Sequence, residues 1–302
     1  MDVTIRDVAM RDGLQIEEPI STAAKLELLE AICDTGVREV EVTAFVSPSK
    51  VPALADAAEL CTHLDRFPGV SFSALVASVG GVRRALDAGL SNLEYVVSAS
   101  DAHSRANVGR DTEASVTLID EIVAMAHAAG AGVEVIVATA WDCPFDGPTP
   151  PERVTGVISR AVDAGADRIS IADTIGTTTP GRVSDLVAQV VPLIGELLLG
   201  AHFHNTRGSG LASAYAAVQA GISRLDASVG GLGGCPFAPG ASGNIATEDL
   251  VYLLRDSGIE TGIDLDAAIR AGRVAIGAVG GGTGSALMRA GDRKLVAPAV
   301  AR

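Results

Sequence analysis

The sequence predicts a (β/α)8 barrel, and three observations carry that expectation. First, a glycine closes a helix and a short β-rich run follows, five times over. Asp34-Thr35-Gly36 precedes the run at 40–43, and Asp87-Ala88-Gly89 precedes 93–97. Ala129-Gly130 precedes 133–137, Asp163-Ala164-Gly165 precedes 168–171, and Gln219-Ala220-Gly221 precedes 224–227. Glycine suits the left-handed position just past a helix end. Second, β-rich runs at 3–8, 70–76 and 197–204 bring the total to eight. Strands alternating with helical segments imply parallel pairing. Third, 302 residues fit one barrel with eight units better than an open doubly wound sheet. The first strand-to-helix turn also lacks the Gly-x-Gly-x-x-Gly that a dinucleotide-binding sheet would place there.

The segments between the runs read as helices. Ser21 is placed to cap a helix carrying Leu26, Leu29, Ile32 and Cys33. Thr149-Pro150-Pro151-Glu152 has the spacing of a capping box with proline at the first helical position. Behind it, Val154, Val157, Ile158, Ala161 and Val162 form a stripe with the period of a helix. Thr179-Pro180 opens another, with Val183, Leu186, Val187, Val190 and Val191 on one face. No interdomain linker interrupts the pattern. The barrel is expected to occupy residues 1–272, followed at 273–302 by an irregular or partly helical tail. Gly280-Gly281-Gly282-Thr283-Gly284 has no Lys-Ser/Thr after it and reads as a flexible connection, not a phosphate loop.

Composition narrows the function. The chain is 48% hydrophobic but only 3% aromatic, so aliphatic side chains build the core. A net charge of -14 disfavours nucleic acid as a partner, because a duplex-binding surface needs clustered Lys and Arg. Arg83, Arg84, Arg105 and Arg110 remain as local sites for an anionic phosphate or as solvated helix charges. No run of 18 apolar residues reaches membrane-spanning length. The N-terminus has no apolar signal segment. Four dispersed cysteines without a Cys-x-x-Cys spacing suit reduced thiols, and a cytoplasmic location is expected.

Chemistry collects at the strand ends, where a barrel of this type carries its active site. His202-Phe203-His204 closes the seventh run, and alternation along a strand points both imidazoles the same way. A single buried histidine is more often a hydrogen-bonded core residue; two at i, i+2 on a strand end favour a metal. Asp12 after the first run offers a hard oxygen, and Asn244 after the eighth offers another. This set suits Mg²⁺ or Mn²⁺, and two histidines with one carboxylate also suit Fe(II). A structural zinc is disfavoured, since no thiolate has ligand spacing. Asp12 serves equally well as a helix cap. Glu41 and Asp173 are expected to point inward, with ion pairing to Arg11 as the plain alternative. Gln15 stands beside them at the first strand end. Cys143 and Cys235 each begin a Cys-Pro-Phe loop, and the glycine-rich setting of Cys235 suggests a mobile lid carrying a thiol.

Arg11-Asp12-Gly13-Leu14-Gln15, His202-x-His204 and the stretch Gly231-Leu-Gly-Gly-Cys235-Pro-Phe-Ala-Pro-Gly-Ala-Ser-Gly-Asn244-Ile-Ala-Thr-Glu248 together resemble the 3-hydroxy-3-methylglutaryl-CoA lyase family. Phe45-Val-Ser-Pro48 and Asp173-Thr-Ile-Gly176 match it too, and the resemblance runs from about residue 3 to 263. It implies a metal-dependent lyase that cleaves an acyl-CoA by a retro-Claisen reaction, releasing acetyl-CoA and acetoacetate. Asp12, His202, His204 and Asn244 would hold the metal. Arg11 would stabilise the enolate oxygen, and Cys235 would be a lid acid/base. Glu41, Asp173 and Glu248 would be supporting carboxylates, with His202 at the reacting centre and Gln15, Arg207 and Glu248 on the substrate side. Related synthases that condense acetyl-CoA with oxo acids share the His-x-His pair, but typically carry Glu where this chain has Leu14, and lack the cysteine loop. Three departures from the lyase pattern bear on the acyl group: Asn205-Thr206-Arg207 after the histidines, Ile16 after Gln15, and Asn107-Val-Gly-Arg-Asp111 after the fourth run. Arg207 adds a cation that can meet a substrate carboxylate. Citramalyl-CoA, yielding acetyl-CoA and pyruvate, is therefore the alternative substrate, and a condensing acyltransferase the alternative reaction. Assembly into a homo-oligomer is compatible with such a barrel.

Overall fold

Eight strands, all parallel, close into one barrel in sequence order: β1 (Thr4–Asp7), β2 (Glu39–Phe45), β3 (Ser71–Val76), β4 (Asn92–Ser98), β5 (Gly132–Ala138), β6 (Arg168–Asp173), β7 (Leu198–Phe203) and β8 (Arg224–Ala227), which pairs back onto β1. This is the arrangement in a computed structural model of the chain, which describes residues 2–234, 243–282 and 284–293. The glycines that announced five of the strands all have positive φ, between 74° and 102°. They stop each helix where the chain must turn back into the barrel.

Helices cover the outside: α1 (Thr22–Cys33), α2 (Val79–Asp87), α3 (Asp101–Val108), α4 (Thr112–Ala128), α5 (Pro151–Asp163), α6 (Pro180–Ile194), α7 (Gly210–Gln219), α8 (Thr247–Asp256) and α9 (Leu265–Ala278). After β2 the cover is the five-residue helix Ala57–Cys61, flanked by 3-10 turns at Pro52–Leu54 and Leu64–Arg66. The Ser21 hydroxyl caps α1 by accepting from the Ala24 N–H, and Pro180 begins α6 directly after Thr179. Val154, Val157, Ile158 and Ala161 are buried on α5 as their spacing predicts.

Four local expectations fail. The capping box at 149–152 does not form: Pro150 occupies the cap position, and the buried Thr149 hydroxyl has no hydrogen-bond partner among the described residues. Two prolines in succession push the helix start one residue on, out of reach of Thr149. Val191 is exposed, because the buried stripe of α6 ends with Val190 and Ile194. On α1, Leu28 takes the buried place expected for Leu26. The barrel boundary expected at 272 falls inside α9, whose glycine packs against the barrel instead of ending the helix. A short antiparallel pair, Asp142–Cys143 with Gly147–Pro148, also follows β5.

The lower interior of the barrel is ionic. Arg6 on β1 is 1% exposed. It grips Asp226 through Nε and Nη2, both at 2.8 Å, and Glu134 through Nη1 at 2.7 Å, and it also contacts Glu94. Arg224 donates to Glu134 and Glu39 at 2.6 Å each. Buried ions are tolerated when each is paired, and the three arginines Arg6, Arg168 and Arg224 divide themselves among these carboxylates. The ionic layer forms a floor under the C-terminal ends of the strands.

Candidate active site

The C-terminal end of β1 does not run straight into α1. It winds into a single π-helical turn, Ala9–Gly13, that presents Arg11 and Asp12 across the barrel mouth. Strand alternation brings His202 and His204 from β7 to the same face, with ring centroids 5.0 Å apart. Asn244 arrives from a distant segment. Residues 243–246 lie along the end of β7, with the Asn205 N–H donating to Gly243 O at 2.8 Å and a bridge pairing His204 with Asn244. Gly243 has φ +75, and a Cβ there would lie 2.1 Å from Gly233 O. Only glycine lets the two ends of the 232–244 loop come this close.

The result is a buried group of potential ligands. Ligand atoms of Asp12, His202 and His204 lie within 4.8 Å of one another. Asp12 accepts from Arg11 Nη1 at 2.6 Å and Gln15 Nε2 at 2.9 Å on one oxygen. Asn244 Nδ2 donates to the other at 2.8 Å, and His204 Nε2 stands 3.5 Å from it. These partners are side chains, and α1 has its own cap in Ser21, so Asp12 is not a helix cap. Burial opposes ionisation of Asp12, but Arg11 and the two histidines hold its carboxyl well below the usual range. Among the described residues, both ring nitrogens of His204 and Oδ1 of Asn244 are buried with no hydrogen-bond partner. Unpaired buried polar atoms are costly. With Asp12 and His202 beside them they make up a two-histidine, carboxylate and amide donor set, which a divalent cation would satisfy.

Arg11 is fixed from two sides, by Asp12 and by Glu41, whose Oε1 accepts from Nε at 2.6 Å. Glu41 therefore realises the ion-pair alternative. Burial, against the pull of Arg11 and with the push of Glu94, raises its carboxyl well above the ordinary value. Asp173 does not pair with Arg11. Its two oxygens accept the Thr177 and Thr178 N–H groups at 3.0 Å each, and burial raises its pKa. Glu248 is fully buried away from this group, where both oxygens accept the Gly230 N–H at 3.1 Å. Burial pushes it up to about 7. Asp7 holds the neighbouring Val229 N–H at 3.0 Å and is pushed by burial to about 6. Together they brace the root of the loop that contains Cys235. Asn244 also donates to Leu232 O at 3.0 Å, tying the two ends of that loop. Cys235 itself lies outside the described residues.

Arg207 is exposed and donates to Ile175 O at 2.9 Å and Gly176 O at 3.3 Å. Of the four arginines offered for phosphate, Arg84 donates to Phe45 O at 2.8 Å, Arg110 bonds Ala77 O, and Arg105 pairs with Asp111. Cys143 is buried, its sulfur accepting from the Phe145 and Asp146 N–H groups. Sequence reasoning passed over Asp226, whose Oδ2 lies 3.1 Å from His202 Nδ1. The only sequence signal is that charged residues at Arg6, Glu94, Glu134 and Asp226 interrupt strands that a barrel buries on both faces, and it does not say which of them meet.

The barrel, with a buried His-His-Asp cluster at its mouth that could hold a metal ion, defines a (β/α)8 enzyme architecture. A model of the HMGL-like family matches residues 2–275. The mitochondrial hydroxymethylglutaryl-CoA lyase of Bos taurus is 40% identical over 271 residues, covering 89% of this chain and 83% of that protein. The (R)-citramalyl-CoA lyase of Chloroflexus aurantiacus is 41% identical over 280 residues, covering 89% and 88%. A solved HMG-CoA lyase from Acinetobacter baumannii, in complex with coenzyme A and 3-methylmalate, superposes with a TM-score of 0.93 at 38% identity and covers 98% of this chain and 97% of that one. The chain belongs to the HMGL-like family of lyases.

Proposed function

We propose that this chain cleaves 3-hydroxy-3-methylglutaryl-CoA into acetyl-CoA and acetoacetate, with Mg²⁺ or Mn²⁺ held by Asp12, His202, His204 and Asn244. The observation that carries this reading is the buried cluster of Asp12, His202 and His204, whose ligand atoms lie within 4.8 Å of one another, directly beside a fixed guanidinium. A divalent cation held there would supply Lewis acidity that lowers the pKa of the substrate hydroxyl.

The residues of the chain account for the remainder. The tertiary hydroxyl gives its proton to a general base at the mouth, its C–O bond becomes the carbonyl of acetoacetate as the adjacent carbon–carbon bond breaks, and the electron pair of that bond passes to the acetyl-CoA fragment as a thioester enolate. Arg11 is already immobilised by Glu41 and Asp12, so it needs no reorganisation to meet that oxygen charge. A general acid then protonates the enolate carbon, and the Cys235 thiol on the loop rooted at Val229–Gly231 is the proposed donor. Gln15 orients Asp12 at the acyl end. The reaction is redox-neutral.

A second acyl group is supported by two observations. The citramalyl-CoA lyase matches this chain as well as the hydroxymethylglutaryl-CoA lyase does, and Arg207 supplies a cation near the mouth. Comparing kcat/KM for acetyl-CoA release from 3-hydroxy-3-methylglutaryl-CoA and from citramalyl-CoA decides between them. A higher value for the first substrate is expected. A reversal would keep the chemistry and reassign the acyl group.

A further inference from the structure

We infer that Asp226, clamped by Arg6, is a positioning residue that fixes the orientation and tautomer of His202, a role that rests on His202 being a metal ligand. The register of three adjacent strands places these residues side by side. Arg6 on β1 is the pairing partner of Asp226 on β8, and Asp226 is the pairing partner of His202 on β7. Registered positions on neighbouring parallel strands face the same side, so the three side chains form one row across the barrel interior.

The contacts along the row are directional. Arg6 holds both Asp226 oxygens in a fork, at 2.8 Å each. A guanidinium fork fixes a carboxylate in plane as well as in position. The oxygen Oδ2 then faces His202 Nδ1 at 3.1 Å. An ionised carboxylate only accepts, so this nitrogen carries the proton and Nε2 is left as the ligand atom. His204 lacks such a clamp among the described residues: its Nε2 stands 3.5 Å from Asp12, and its Nδ1 has no hydrogen-bond partner there. The two histidines are thus inequivalent: Nδ1 of His202 faces a clamped carboxylate, and Nδ1 of His204 does not.

The second arm of Arg6 supplies the control. Glu134 accepts from Nη1 at 2.7 Å and is buried like Asp226, but its partners are Arg6 and Arg224. Disturbing the ionic floor in general would show in variants of either carboxylate. Orienting His202 would show only in variants of Asp226.

Mn²⁺ titrated into the wild type, Asp226→Ala, Asp226→Asn and Glu134→Gln, by calorimetry, tests the role. Thermal melts are recorded alongside, and the ring-nitrogen NMR shifts of His202 are read in the metal-free proteins. The expected result is a loss of Mn²⁺ affinity of about 10–100-fold in Asp226→Ala, the usual effect of removing such a partner. Asp226→Asn, which keeps an accepting oxygen, should recover part of it, and Glu134→Gln should stay within about twofold of the wild type. His202 should hold its proton on Nδ1 in the wild type and become a tautomer mixture in Asp226→Ala. Unchanged affinity in Asp226→Ala, or an equal loss in Glu134→Gln, would overturn the role while leaving the metal centre standing. No Mn²⁺ binding by the wild type, or full binding by His204→Ala, would overturn the metal centre and this role with it.

Discussion

At the scale of single residues, the site is a set of groups held against their own preferences. Among the described residues, buried His204 has no hydrogen-bond partner and only the Asp12 carboxylate 3.5 Å from its Nε2, an arrangement that makes sense when an ion completes it. His204→Ala should therefore abolish Mn²⁺ binding and metal-dependent turnover, and retained turnover would remove the centre assigned here. Arg11→Met should lower kcat by about 10²–10³, the usual effect of deleting one preorganised donor to a developing oxyanion. KM should change far less, because the charge that Arg11 meets exists only along the reaction; a variant altered in KM alone would place Arg11 in ground-state binding. Glu248 makes a prediction in pH. Its pKa is raised from 4.5 to about 7, so the folded state holds a proton that the unfolded state has already released. That contribution to stability is complete below about 4.5 and is lost as pH rises through 7. The loss is roughly 3 kcal/mol from the size of the shift. Glu248→Gln, always neutral, should gain on the wild type in thermal melts between pH 5 and pH 8. A difference independent of pH would show that Glu248 does not titrate there. Asp12, with its pKa lowered, acts in the opposite sense: its contribution is present above the ordinary carboxylate range and lost on acidification. The grouping of Asp12, His202 and His204 was legible in sequence, because alternation puts a pair at i, i+2 on one face of a strand end. Asp226 was not, since its meaning depends on which residues of β1 and β7 stand beside it.

At the scale of elements, helix ends and strand alternation carried the reading. The Gly-ended helices located five strands because a left-handed turn is a local demand that neighbours seldom override. The cap at Thr149 failed because two prolines constrain the same residues more strongly than a hydroxyl attracts an N–H. The π-helical turn at Ala9–Gly13 had no periodic signature at all, being only five residues long. The boundary expected at 272 falls inside α9, which runs on through Gly272 to Ala278. That glycine is a contact, not a break: a Cβ there would lie 2.8 Å from Glu248 Oε1 and 3.0 Å from the Gly230 N. It lets α9 pack on the root of the cysteine loop. Gly272→Ala should destabilise the fold by about 1–3 kcal/mol through overpacking and displace Glu248. Chemical denaturation checks the first effect. An unchanged midpoint would mean that α9 shifts at no cost, and that its packing does not set the loop root.

At the scale of the whole molecule, the barrel separates two tasks. Its lower interior is an ionic floor centred on Arg6, and its C-terminal mouth holds the reactive groups. Such buried pairs are weak sources of net stability, and here they touch the site at two points, through Asp226 to His202 and through Glu94 toward Glu41 and Arg11. The overall architecture was readable from eight recurring units. The floor was not, because no single strand shows that its charged residue meets the others at the centre. The central claim concerns this mouth: a carbon–carbon lyase that needs a divalent ion. The most direct test is acetyl-CoA release from 3-hydroxy-3-methylglutaryl-CoA by protein as purified, after EDTA, and after Mn²⁺ or Mg²⁺ is restored. The account predicts cleavage that EDTA abolishes and either ion recovers, at a kcat of the order of 10 s⁻¹, typical of enzymes. Cleavage that persists undiminished in EDTA-treated, metal-free protein would contradict it.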